Sequence, residues 1–187
     1  MTLYPADAAQ PLAASSNFQT GVNLNAPILV GLSPSGQFNV YVASTTDLVV
    51  DVTGYYSAQM NDGNGQGLLF NALSGPVRLL DTRAGQPGCF MPGAQMAGGT
   101  SYQQPATGAC TGVPVAAKAV VGNATTLNAA ANGYLTFWPS DANQPFIATS
   151  NYRTGQTFNR HFTVGIGLDG AFKRFASTTS DLIIDIS

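Results

Sequence analysis

His161 is the only histidine in the chain. One imidazole cannot build a His-based metal cluster or a conventional Ser-His-Asp triad within a single chain. The segment GLSPSG, Gly31 to Gly36, resembles a serine-hydrolase elbow, but Ser35 stands where that pattern needs its second glycine. A Pro-Ser-Gly turn accounts for it better. Asp47, Asp51, Asp181 and Asp185 form two D-x-x-x-D pairs. Hard cations want several oxygens converging from one loop, and this spacing falls on strand-like sequence. These carboxylates are therefore expected to cap strand ends or to pair with Arg78 and Arg83 of RLLDTR. Lys118 near Asn and Asp suggests an intramolecular isopeptide bond, which would need a buried carboxyl helper, and the chain has no Glu. The expectation is a protein without catalysis, metal or cofactor.

Aromatic side chains carry more information. Tyr4 and Trp138 each precede a proline in related segments, and Phe18 and Tyr152 occupy another related pair. Flat exposed rings beside Asn and Asp are what a sugar-binding platform needs. Rings that fill a sandwich core or a domain contact are the competing reading, and the weightier one. NAT, Asn123 to Thr125, is a formal glycosylation sequon, but it sits in strand-like sequence.

Cys89 and Cys110 flank a Gly- and Gln-rich stretch that reads as a loop containing one short strand. A low charge and a loop setting favour an exported, oxidised pair over two free thiols.

The elements that position these residues are strands. Charged residues make up 9% of the chain, against roughly 25% in ordinary soluble domains. All nine acidic residues are Asp, and Lys occurs only at Lys118 and Lys173. Long charged helix formers are thus nearly missing, while β-branched, aromatic and turn residues are plentiful. Short runs such as KAVVGNATTL, GYLTFWP, RHFTVGIG, AFKRFAS and DLIIDIS are punctuated by Asn132-Gly133, Asp169-Gly170 and Ser35-Gly36. Close-spaced strands without helical period predict an all-β sandwich, Ig-like or jelly-roll-like. A net charge of −2 argues against nucleic acid as a partner, and no apolar run reaches membrane-spanning length.

STTDLVVDV, from Ser44, and STTSDLIIDIS, from Ser177, are near repeats. Asp47 and Asp181 lie 134 positions apart, as do Asp51 and Asp185. At that fixed offset about 20 of roughly 52 positions are identical between Thr2–Thr53 and Thr136–Ser187, without a gap. Self-similarity at one period marks a tandem array. Residues 1–57 therefore read as the C-terminal half of a repeat unit, 58–67 as a Gly-rich linker, and 68–187 as a complete unit. Within that unit, 68–133 is the N-terminal half and 134–187 the C-terminal half.

The order RLLDTR, GNATTLN, GYLTFWP, SNY and DLVVDVTGYY resembles a tandem domain of about 130 residues found in large secreted bacterial proteins. The resemblance covers essentially the whole chain, as one and a half units. It implies export, a β-rich fold and array architecture, and implies no activity.

The functional expectation is an extracellular or cell-surface structural repeat of a fibre, filament or adhesive array. Its partners would be copies of itself or neighbouring repeats, met by head-to-tail or strand-complementing contacts. A carbohydrate-binding module using Tyr4, Phe18, Trp138 and Tyr152 on surface glycans is the alternative. The copies also diverge in charge: Asp7, Asp47 and Asp51 are unaccompanied by any cation before residue 58, whereas the later half gains Arg153, Arg160, Lys173 and Arg174. Opposite signs of this kind could set register between successive units.

Overall fold

The computed structural model describes residues 1–56 and 68–187. The linker expected over 58–67 lies outside the described residues. The chain divides into two compact units, Met1–Val52 and Thr53–Ser187.

The first unit holds two short strands, β1 (Thr2–Pro5) and β2 (Phe38–Tyr41), paired antiparallel. The second unit is an all-β sandwich. Its strands are β3 (Val77–Asp81), β4 (Thr100–Pro105), β5 (Ala119–Leu127), β6 (Gly133–Pro139), β7 (Ser150–Tyr152), β8 (Phe158–Gly165), β9 (Ala171–Ala176) and β10 (Asp181–Ile186). One sheet runs β3-β10-β5-β8 and the other β4-β9-β6-β7, every pairing antiparallel.

Alternation explains the sandwich. Along β5 every second residue is buried, so Val120, Gly122, Ala124 and Thr126 face inward. Gly122 allows β10 to come close, since a Cβ there would meet the Asp185 carbonyl oxygen at 2.3 Å. In β10, Leu182, Ile184 and Ile186 are essentially inaccessible to solvent. A bulge against β3 falls between Ile184 and Asp185. The two sheets meet through three rings: Phe162 of β8 packs on Phe137 of β6 and Phe172 of β9, with centroids 5.0 and 6.3 Å away. Cys89 and Cys110 form a disulfide with Cα atoms 5.8 Å apart. The loop between them contains β4.

The first unit repeats part of this architecture bond for bond. Thr2, Leu3, Tyr4 and Pro5 face Tyr41, Val40, Asn39 and Phe38. Thr136, Phe137, Trp138 and Pro139, each 134 positions on, face Phe175, Arg174, Lys173 and Phe172. Leu3 N donates to Ser15 Oγ at 2.9 Å, as Phe137 N donates to Thr149 Oγ1 at 2.9 Å. Thr2 Oγ1 donates to the Ala13 carbonyl at 2.8 Å, as Thr136 Oγ1 donates to that of Ile147 at 2.7 Å. Met1 and Ser16 exchange backbone bonds of 3.0 and 3.2 Å where Leu135 and Ser150 pair. Gly36 and Gly170 close the equivalent turns at φ 75° and 73°, a conformation open to glycine.

The likeness stops where partners run out. Residues 24–31 and 47–52 correspond to β8 and β10, yet they form no strand in the first unit. In the complete sandwich β8 pairs with β5, and β10 with β3 and β5. Both β3 and β5 belong to 68–133, outside the first unit. Only pairings internal to the later half are reproduced.

Candidate functional site

The seam between 68–133 and 134–187 is where polar side chains concentrate. Asp181 opens β10 and is buried. Its Oδ1 accepts from Thr82 Oγ1 at 2.9 Å, and its Oδ2 from Asn128 Nδ2 at 2.8 Å and Gln95 Nε2 at 3.1 Å. All three donors come from the earlier half. Four residues on, Asp185 accepts from Arg78, whose Nη2 lies 3.4 Å from Oδ2. Arg78 Nη1 also reaches Asp81 Oδ2 at 3.0 Å, and Arg83 Nη2 reaches the same oxygen at 2.7 Å. Hydrogen bonds from Arg83 hold the fully buried Asp81 carboxyl below its ordinary range. The D-x-x-x-D spacing thus serves strand pairing. Asp185 takes Arg78 as the sequence suggested, but Arg83 turns to Asp81 instead. Among the described residues, no three His, Cys, Asp or Glu side chains gather as a metal site would require.

In the first unit the same carboxylates, Asp47 and Asp51, are exposed. Around them Leu48, Val50 and Val52 are 45%, 49% and 80% exposed, where Leu182, Ile184 and Ile186 are at most 1% exposed. Leu32, the counterpart of Ile166, is likewise exposed. With Val49 at 83%, all four apolar residues around Asp47 and Asp51 stand exposed.

The aromatic platform does not materialise around Trp138 or Tyr152. Trp138 is 4% exposed and Tyr152 2%. Trp138 Nε1 donates to the Ala142 carbonyl at 3.2 Å, and residues 142–144 line the groove beside it. Tyr152 packs in the core and its hydroxyl accepts from Thr178 N at 3.2 Å. Tyr4 and Phe18 are half-buried. For Trp138 the reason is local: the loop after β6 returns to its ring, accepting the indole N–H at Ala142.

Ser33 is a turn residue. It is buried, and its Oγ accepts from Gln37 N at 3.1 Å. At the counterpart, Gly167, a Cβ would fall 2.2 Å from Ser140 Oγ. In the first unit Ala6 stands where Ser140 does, so a serine fits. His161 is exposed on β8. Asn123 lies within β5, paired with His161 and Asp185.

The charge set divides. Asp7, Asp47 and Asp51 are exposed, and Arg153, Arg160 and Lys173 are partly buried. Arg160 lies over Phe158, 5.8 Å from the ring centroid. Arg174, one of the expected inter-unit charges, is 6% exposed. The parity of AFKRFA carried that signal: Phe172, Arg174 and Ala176 alternate on one face, and the first and last are core residues.

No helix among the described residues is long and apolar enough to cross a membrane. No protein-family model matches this chain, and no curated protein matches it.

Proposed function

We propose that the chain is an extracellular structural repeat whose first unit is an acceptor, completed by the earlier half of another repeat in a fibre or surface array. The observation that carries this reading is the shared hydrogen-bond register of β1·β2 and β6·β9, beside a stripe of residues exposed in one copy and buried in the other. The occupant is a half-unit of the 68–133 type. Its β5-like strand would enter between 24–31 and 47–52, with Asp47 opposite the equivalent of Leu127 and Val50 opposite that of Ala124, as Asp181 and Ile184 are. Apolar burial drives the insertion, at about 1.5–3 kcal/mol for each large side chain covered. The donor in this reading is a neighbouring repeat. The disulfide supports an oxidising compartment.

The test duplicates residues 68–134 ahead of Met1, which corresponds to Leu135. Hydrogen exchange at 24–31 and 47–52 is expected to slow to the rates of β8 and β10. Exchange as fast as in the parent chain would overturn the reading. Electron microscopy of a chain with several complete repeats is expected to show a rod that lengthens with repeat number.

A further inference from the structure

In the complete unit β9 lies between β4 and β6, whereas β2 has β1 alone as a neighbour among the described residues. Backbone parity shows which groups this leaves open. Along a strand in an antiparallel sheet, alternate residues bond to opposite neighbours. Ser140 N donates to the Ala171 carbonyl at 3.3 Å, so the backbone groups of Ala171, Lys173 and Phe175 turn toward β6. Ala106 N donates to the Gly170 carbonyl at 2.9 Å, so those of Phe172, Arg174 and Ala176 turn toward β4.

The first unit keeps the same parity. Ala6 N donates to the Gln37 carbonyl at 3.2 Å, so Asn39 and Tyr41 face β1. Phe38, Val40 and, just past the strand, Val42 turn their N–H and C=O groups to the other side. No hydrogen bond among the described residues meets them there. They are the counterparts of Phe172, Arg174 and Ala176. Val40 and Tyr41 are 38% and 43% exposed. A row of unpaired backbone donors and acceptors on an exposed edge is a template for another strand.

β4 shows what fits such an edge. Its sequence TSYQQP is uncharged, and Thr100, Tyr102 and Gln104 lie opposite Ala176, Arg174 and Phe172. Pro105 has no N–H to give, and by the same parity it falls at a position turned away from β9. A strand with proline on its outer side blunts the sheet edge it forms.

We propose that the open side of β2 is a second acceptor site, filled by the β4-type strand of the donor half. The register sets the equivalents of Thr100, Tyr102 and Gln104 opposite Val42, Val40 and Phe38. In the complete unit the Arg174 guanidinium carbon lies 4.9 Å from the centroid of the Tyr102 ring. At β2 the tyrosine meets Val40 instead, an aliphatic contact without a cation. The site presupposes the array reading and adds to it a contact on the other sheet, so that one donor half clasps the first unit through both.

Amide exchange in the chain extended by a duplicate of 68–134 ahead of Met1 tests the site residue by residue. In the parent chain Asn39 and Tyr41 should exchange slowly, and Phe38, Val40 and Val42 fast. In the extended chain that alternation should vanish, with Phe38, Val40 and Val42 slowing to within about tenfold of Phe172, Arg174 and Ala176. Within the added copy, Gln104→Pro removes the N–H aimed at the Phe38 carbonyl and should return Phe38 and Val40 to fast exchange. Gln104→Ala keeps that N–H, and Gln103→Pro alters one turned away from β2, so both should leave the protection in place. Fast exchange at Phe38, Val40 and Val42 beside slow exchange at 47–52 would overturn this site and leave the array reading standing. Fast exchange at both segments would overturn both. Protection that survives Gln104→Pro, or that is lost equally with Gln103→Pro, would overturn the register.

Discussion

Thr82 Oγ1 donates to Asp181 Oδ1 at 2.9 Å and accepts the Leu182 N–H at 2.9 Å, tying the end of β3 to the start of β10. This tie joins 68–133 to 134–187, whereas Asp47, 134 positions before Asp181, is exposed. Asp181→Ala leaves three donors without their acceptor and should destabilise the sandwich by about 3 kcal/mol. Asp47→Ala should stay within about 0.5 kcal/mol. Urea unfolding of both variants makes the comparison, and equal effects would mean the two aspartates share an environment.

Asp81 gives the sandwich an acid limit. Its carboxyl has no solvent exposure, and its pKa is lowered below 3.8 by Arg83 and Arg78. The unfolded chain therefore binds the proton more readily than the folded one. The stability Asp81 contributes is fully present above about pH 5 and is lost as pH falls through and below the ordinary carboxylate range. Asp81→Asn should lower stability at pH 6 and flatten its decline between about pH 5 and pH 2. Denaturant titrations across that range check both the offset and the slope.

The Cys89–Cys110 bridge closes a separation of 21 residues around β4. Restricting the unfolded chain to that extent is worth about 3 kcal/mol. β4 is the edge of its sheet and pairs only with β9. Reduction should therefore act first there: amides of residues 100–105 exchange faster, while β5 and β10 keep their protection. Exchange mapped with and without reductant reports this order.

Much of this architecture is legible in residue order, because strand parity and repeat offset are local properties. Val120, Ala124 and Thr126 alternate visibly, and an offset of 134 predicts which segments should behave alike. Partner supply is not local. LVVDV and LIIDI are nearly the same words, yet one forms a central strand and the other no strand, because β3 and β5 flank only the second. The manner in which the rings are buried is not local either. Trp138 alternates outward as its neighbours imply, but residues 142–144 cover that face, and a loop's return path leaves little trace in periodicity. The inward position of Arg174 is legible in the parity of AFKRFA, where Phe172 and Ala176 share its face and are core residues.

Leu48 and Leu182 are the same residue at the same place in two copies, one 45% exposed and the other 0%. Leu182→Ala should cost about 2–5 kcal/mol, the usual range for an aliphatic side chain lost from a packed core. Leu48→Ala should cost less than about 0.5 kcal/mol in the chain as it stands. In the chain extended by a duplicate of 68–134, Leu48→Ala should rise to the cost of Leu182→Ala, because the added half supplies the equivalents of β3 and β5 that flank β10 and hold Leu182 in the sandwich core. The two costs, read from denaturant midpoints of each unfolding transition, separate complementation from simple tethering. A tethered half that never inserts would leave Leu48→Ala silent in both chains.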